Sequence, residues 1–169
     1  FSWVQTFCEM VLALAVAGVW VALDRRGSRD RATAEVLRVT VRYSLAWAMV
    51  GYGIVKLCKT QFPFPGGERL LQPYGESSPM GLLWTFMGYS TPFNVFAGAL
   101  ESVGALFLFF RRTTMLGALM LAGVMSNVVM LNLCYDVPVK LYSMQLFGLT
   151  LLLLARDGQR LLSFLVLNR

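Results

Sequence analysis

Five stretches of this chain are so apolar that their backbone groups find partners most readily within helices. Phe1–Leu23 carries only Glu9, and Val36–Cys58 carries Arg38 and Arg42 near one end and Lys56 near the other. Pro92–Phe110 holds Glu101 alone, Thr113–Tyr135 holds no charge, and Leu141–Ala155 is short and bounded by Lys140 and Arg156. A hydrocarbon layer about 30 Å thick needs roughly 20 helical residues, fewer where charged ends snorkel. The expected fold class is therefore all-α, a polytopic transmembrane helical bundle. The competing reading is a buried helical bundle of a water-soluble protein. It would have to bury nearly all of these spans within 169 residues and leaves little polar face to wet. Composition points the same way: 57% of residues are hydrophobic and 14% charged, where a water-soluble domain carries about 25% charged residues.

The same composition excludes several functions. There is no histidine, the commonest ligand for transition metals and the commonest general base. The three cysteines, Cys8, Cys58 and Cys134, contain no C-x-x-C pair, so zinc ribbons and thioredoxin-type motifs are not expected. No metal site is predicted. The chain starts at Phe1, which reads as a missing or processed N-terminus, and Phe1–Leu23 lacks the basic region and cleavage site of a signal peptide.

The connections divide the chain into an N-terminal helix (1–23), a basic loop (24–35) and a four-helix region (36–169) with a long loop at 60–91. Such a long loop is usually functional. It opens on QFPFPGG and later places Pro79 after Ser78, an N-cap followed by proline at N1. The short helix that follows is too short to span and is expected at an interface, with Trp84 and Tyr89 at headgroup level. Eleven of the Lys and Arg residues fall on one side of this arrangement. Lys56, Lys59, Arg69 and Lys140 fall on the other. The positive-inside rule makes the eleven cytoplasmic, so loop 60–91 faces outward and the C-terminus, a short amphipathic helix over Arg160–Arg169, stays inside. The net charge of +6 then reflects orientation and anionic lipid rather than nucleic acid. The expected location is a bacterial cytoplasmic (inner) membrane.

Polar groups within apolar spans are functional candidates. Glu101 shares a helical face with Asn94, Ala97, Gly98, Gly104 and Ala105, small residues that admit a neighbouring helix. It is read either as a structural hydrogen-bonded carboxyl or as a proton-transfer or ligand-binding group. Lys56 either snorkels to the headgroups or pairs with Glu101 or Asp136. Asn132 and Asp136 are i, i+4. With Tyr135, Lys140 and Gln145 they form either an outward polar vestibule or a loop tied down by local ion pairs. Tyr52, Trp84 and Asn127 complete the ligand-binding candidates; Glu101, Lys56 and Asp136 are the catalytic ones. Cys58 and Cys134 are read as a disulfide pair or as inert filler. The aromatics and nine Met either pack or line a pocket for a quinone, pigment or lipid tail.

Six segments carry a family resemblance: RYSLAWAMVGYGIVK (42–56), QFP (61–63), QPYGESSPM (72–80), LWTFMGYS (83–90), FAGALE (96–101) and YDVPVK (135–140). Together they resemble the DoxX-like integral membrane proteins, over about Val36–Arg169. The resemblance implies a four-helix transmembrane core, to which Phe1–Leu23 adds an extra helix. It also implies kinship with the small subunit of a thiosulfate:quinone oxidoreductase and with membrane thiol-redox systems. The expected function is an integral-membrane subunit or anchor of a redox or energy-converting assembly, holding no metal or haem of its own and in contact with other membrane subunits. The alternatives are a quinone-linked oxidoreductase acting on a small anionic or thiol substrate, and a carrier of a hydrophobic ligand.

Overall fold

The structure, a computed structural model, describes residues 3–23, 30–156 and 158–165. It is all-helical, with no strand among the described residues. The helices are α1 (Trp3–Leu23), α2 (Asp30–Leu57), α3 (Gly67–Leu71), α4 (Pro79–Tyr89), α5 (Thr91–Phe109), α6 (Thr114–Cys134), α7 (Lys140–Arg156) and α8 (Gly158–Leu165), with a 3-10 turn at Tyr74–Glu76. Four expected spans match to within a residue or two. The exception is α2, which begins at Asp30 instead of Val36. The segment 30–35 contains no Gly or Pro to stop a helix, so half of the expected basic loop is helical. Residues 24–29 lie outside the described residues. The C-terminal helix runs Gly158–Leu165 rather than from Arg160, and 166–169 lie outside the described residues.

α2, α5, α6 and α7 close into a four-helix bundle in which α2 packs on α5, α5 on α6, α6 on α7, and α7 back on α2. Short turns at 110–113 and 135–139 make these neighbours antiparallel. The bundle thus has a turn end, near Glu35, Phe110 and Arg156, and a loop end, near Leu57, Thr91 and Lys140. Its core is Leu45, Ala46 and Met49 of α2, Ala105 and Leu108 of α5, Ala118, Leu121 and Met125 of α6, and Leu146 and Leu153 of α7.

α5 is held on both sides by glycine contacts. A Cβ on Gly98 would lie 2.7 Å from the Gly53 carbonyl oxygen, and one on Gly117 would lie 2.7 Å from that of Gly104. Only glycine lets these backbones approach so closely. At the turn end Arg42 is buried, donates to Thr114 Oγ1 at 3.5 Å and lies over the Tyr43 ring. Glu35 pairs there with Arg38 and, at 3.0 Å, with Arg156, tying α2 to α7.

The loop end is capped by 58–90. Ser78 accepts from Gly81 N–H and Ser90 from Phe93 N–H, so α4 and α5 start on side-chain caps, each with proline in its first turn. Asn94 fastens the loop by donating to the carbonyls of Phe62 and Met87. Phe62, Leu83, Met87 and Val137 form a second core over the bundle mouth, with Trp84 edge-on to Phe62. α2 and α6 both end here in Schellman motifs. Thr60 N–H bonds Val55 O and Lys59 N–H bonds Lys56 O; likewise Val137 N–H bonds Asn132 O. The left-handed positions fall on Lys59 (φ 56°) and Asp136 (φ 53°) instead of glycine.

α1 is different. Apart from Thr6, every side chain described from Trp3 to Val19 is exposed, although the helix is apolar on all sides beyond Glu9. α5 and α6 are long and apolar enough to cross a membrane, judged by length and composition.

Candidate functional site

α5 and α6 touch at Gly104 and Gly117, close to their turn. Beyond that contact, toward the loop end, lies a cavity of about 490 Å³. That volume is in the range of small-molecule sites. One wall is Phe93, Phe96, Ala97, Leu100 and Glu101 of α5; the opposite wall is Gly123, Val124, Asn127, Val128, Leu131 and Asn132 of α6. Tyr52 and Lys56 of α2 and Ser143 and Leu146 of α7 close the back, and Gln61, Phe62, Leu83, Trp84 and Met87 form the ceiling. Phe86, Phe93, Phe96, Gly123 and Asn127 are exposed, so the cavity opens sideways, between α5 and α6 and under α4. The lining is mostly aromatic and aliphatic.

Lys56 and Glu101 meet on the inner wall as an ion pair, Nζ donating to Oε1, with 5% and 1% of each residue exposed. The sequence dictates how they meet. Lys56 lies on the last turn of α2, three residues beyond the Gly53 contact, and Glu101 lies three beyond Gly98. Because the helices are antiparallel, Lys56 lies level with Gly98 and Glu101 near the level of Gly53, and the long Lys56 side chain runs along the contact to reach the carboxylate. The second carboxylate oxygen, Glu101 Oε2, is buried without a hydrogen-bond partner among the described residues, and so is Gln61 Oε1. A charge in such a wall is tolerable only when paired, and a buried acceptor left open costs free energy until something donates to it.

Of the nine ligand-binding candidates, Tyr52, Lys56, Trp84, Glu101, Asn127 and Asn132 line the cavity. Tyr135, Asp136 and Lys140 do not. Because α6 ends in a left-handed turn at Asp136, this carboxylate points outward and pairs with Lys140 at the surface. The polar vestibule is therefore a local ion pair tying down the 135–139 turn, and Lys56 takes Glu101 and not Asp136 as its partner. The Lys140 ammonium holds the Asp136 carboxyl below the usual carboxylate range. Lys56 does not snorkel, since it is buried. Cys8, Cys58 and Cys134 are all free and exposed, which removes the Cys58–Cys134 disulfide. Gln61 and Ser143 are cavity residues absent from the candidates. Ser143 falls on the Ser143, Leu146, Thr150, Leu153 stripe that α7 buries, a 3-4-3 spacing readable in advance. The side chain of Gln61 depends on how the loop folds back, which spacing does not reveal.

Among known proteins, the chain is similar to the uncharacterized protein YwoB of Bacillus subtilis (strain 168). The two are 30% identical over 141 residues, covering 82% of this chain and 88% of that protein. The chain belongs to the YwoB family. No protein-family model matches the chain, and no solved structure matches it. The matched length is too great for α1 alone or the loop alone to account for it. Kinship with YwoB therefore takes in most of the four-helix bundle.

Proposed function

We propose that this chain is an integral-membrane, DoxX-like bundle that takes an apolar ligand from the bilayer into the cavity between α5 and α6. The observation that carries this reading is the cavity itself: an apolar chamber of about 490 Å³ with a side opening and one buried ion pair on its inner wall. Three further features support a membrane setting. α5 and α6 have spanning length and hydropathy; α1 is exposed and, beyond Glu9, apolar all round; and large residues such as Trp47, Phe96 and Leu106 face outward from the bundle. A helix hydrophobic on every side needs an apolar surround. In that setting the loop end faces outward and the arginine-rich turn end faces the cytoplasm.

A quinone fits the donor set on chemical grounds. Phe62, Trp84, Phe93 and Phe96 would hold its ring, Lys56 would donate to an oxygen of the quinone, and the open acceptors of Glu101 and Gln61 would take the hydroxyls of its reduced form. Such a group supplies two-electron, two-proton redox chemistry when bound. The chain's own part is to exclude water, orient the ring and hold a charge-neutral pair beside its oxygens. A lipid tail or pigment would use the same apolar walls but not the acceptors.

The test is photo-crosslinking in native membranes with an apolar diazirine probe. Labels concentrated on Phe93–Leu100 and Gly123–Asn132, and competed by unlabelled ligand, are the expected result. Labelling spread evenly over α1 and the outward faces, without competition, would overturn the binding role. A second reading, a non-catalytic subunit of a larger membrane assembly, is favoured by α1, whose exposed sides suit a partner helix as well as lipid. It predicts stoichiometric partners after mild detergent extraction.

A further inference from the structure

Within the binding role just proposed, and resting on it, the geometry points to a neutral ligand head that donates hydrogen bonds, such as a phenol or hydroquinone-type hydroxyl, in preference to a head that only accepts them. Two acceptor oxygens on the cavity lining are buried and open. Glu101 is 1% exposed, spends Oε1 on Lys56, and presents Oε2 with no partner in the cavity it lines. Gln61 adds a second buried oxygen, Oε1, likewise without a partner and on the same lining. An occupant that brings O–H or N–H groups satisfies these two acceptors, and one that only accepts leaves them open. Charge selects further. The Lys56–Glu101 pair is neutral as a unit, so a second carboxylate or phosphate would sit beside the Glu101 oxygens with no cation left to balance it. The apolar walls would not compensate. Aromatic side chains around the chamber (Tyr52, Phe62, Trp84, Phe93) suit a flat ring carrying those hydroxyls.

The experiment uses the purified full chain in lipid nanodiscs and two probes that share one ring and tail, decylhydroquinone and its di-O-methyl ether, in which methyl groups replace the donor hydrogens. Affinities come from quenching of Trp84 fluorescence, with an assignment control in which Trp84 is replaced by Phe. The hydroquinone is expected to bind about tenfold or more tightly than the ether, the scale of one buried acceptor left unsatisfied. Gln61→Met, which leaves the ion pair untouched, should weaken hydroquinone binding relative to the ether and so narrow the gap. Glu101→Gln is informative where the variant folds and should narrow it as well. Equal binding of the two probes, or a gap that Gln61→Met leaves intact, overturns the donor preference while the apolar binding role survives. Failure of both probes to bind overturns both.

Discussion

Removing either member of the Lys56–Glu101 pair strands the other charge in an apolar wall. Lys56→Met and Glu101→Leu are each expected to cost about 3–5 kcal/mol. The double variant, which leaves neither charge behind, should recover most of that loss. Reversible unfolding in mixed micelles, analysed as a double-mutant cycle, measures this; two single losses that simply add would mean the pair is not coupled. The left-handed residues make a smaller prediction. Lys59 adopts φ 56° at a helix end where glycine is at no steric disadvantage. Lys59→Gly should therefore stabilise by up to about 1 kcal/mol, less whatever its 2.7 Å bond to Thr91 Oγ1 contributes. Asp136 gives a pH signature. Its folded pKa lies below its ordinary value because of Lys140, so the contribution of the pair is present above about pH 4 and is lost as pH falls through the folded value. Lys140→Gln should raise the Asp136 titration midpoint seen by carboxyl NMR, and an unmoved midpoint would mean the pair does not form.

At the scale of elements, two glycines on α2 and α5 separate packing from propensity. Gly98→Ala would push a methyl against the backbone carbonyl of Gly53, which has no room to move, and should cost about 1–3 kcal/mol. Gly51→Ala meets nothing within 4 Å on the outward side of α2 and should be neutral or stabilising. Thermal unfolding of the two variants side by side tests whether α2 and α5 pack as described; equal effects would contradict it. These elements also mark what was legible in the sequence. Hydrophobic length alone locates α5, α6 and α7, and Ser78-Pro79 locates the start of α4. The run of small residues on the Glu101 face says which side of α5 is buried. Lys56 is not legible in the same way. A lysine at a helix end reads as a snorkelling cation until the partner helix is placed, and only the Gly53–Gly98 contact sends it inward. The acidic turn misleads for a related reason. An i, i+4 relation between Asn132 and Asp136 presumes that the helix continues, but it ends one residue before the left-handed turn that swings Asp136 outward.

For the whole molecule, the bundle and α1 make separate contributions. The side chains of α1 described from Trp3 to Val19 are almost all exposed, so the four-helix core does not depend on them. A chain lacking residues 1–23 should keep its unfolding temperature and cavity while losing whatever α1 holds in lipid or partner; a large drop in unfolding temperature would contradict this. The cavity belongs to the whole fold, since its walls come from α2, α5, α6 and α7 and its ceiling from the 58–90 loop. This is why no single segment of the sequence announces it. The central claim is that this cavity holds an apolar molecule. Native mass spectrometry of the chain released from mild detergent, with extraction of bound small molecules, tests it directly. The account predicts one retained apolar molecule per chain, lost when Ala97 at the cavity wall is replaced by Trp. A chain that flies bare, with an identical spectrum for the Ala97→Trp variant, would contradict it.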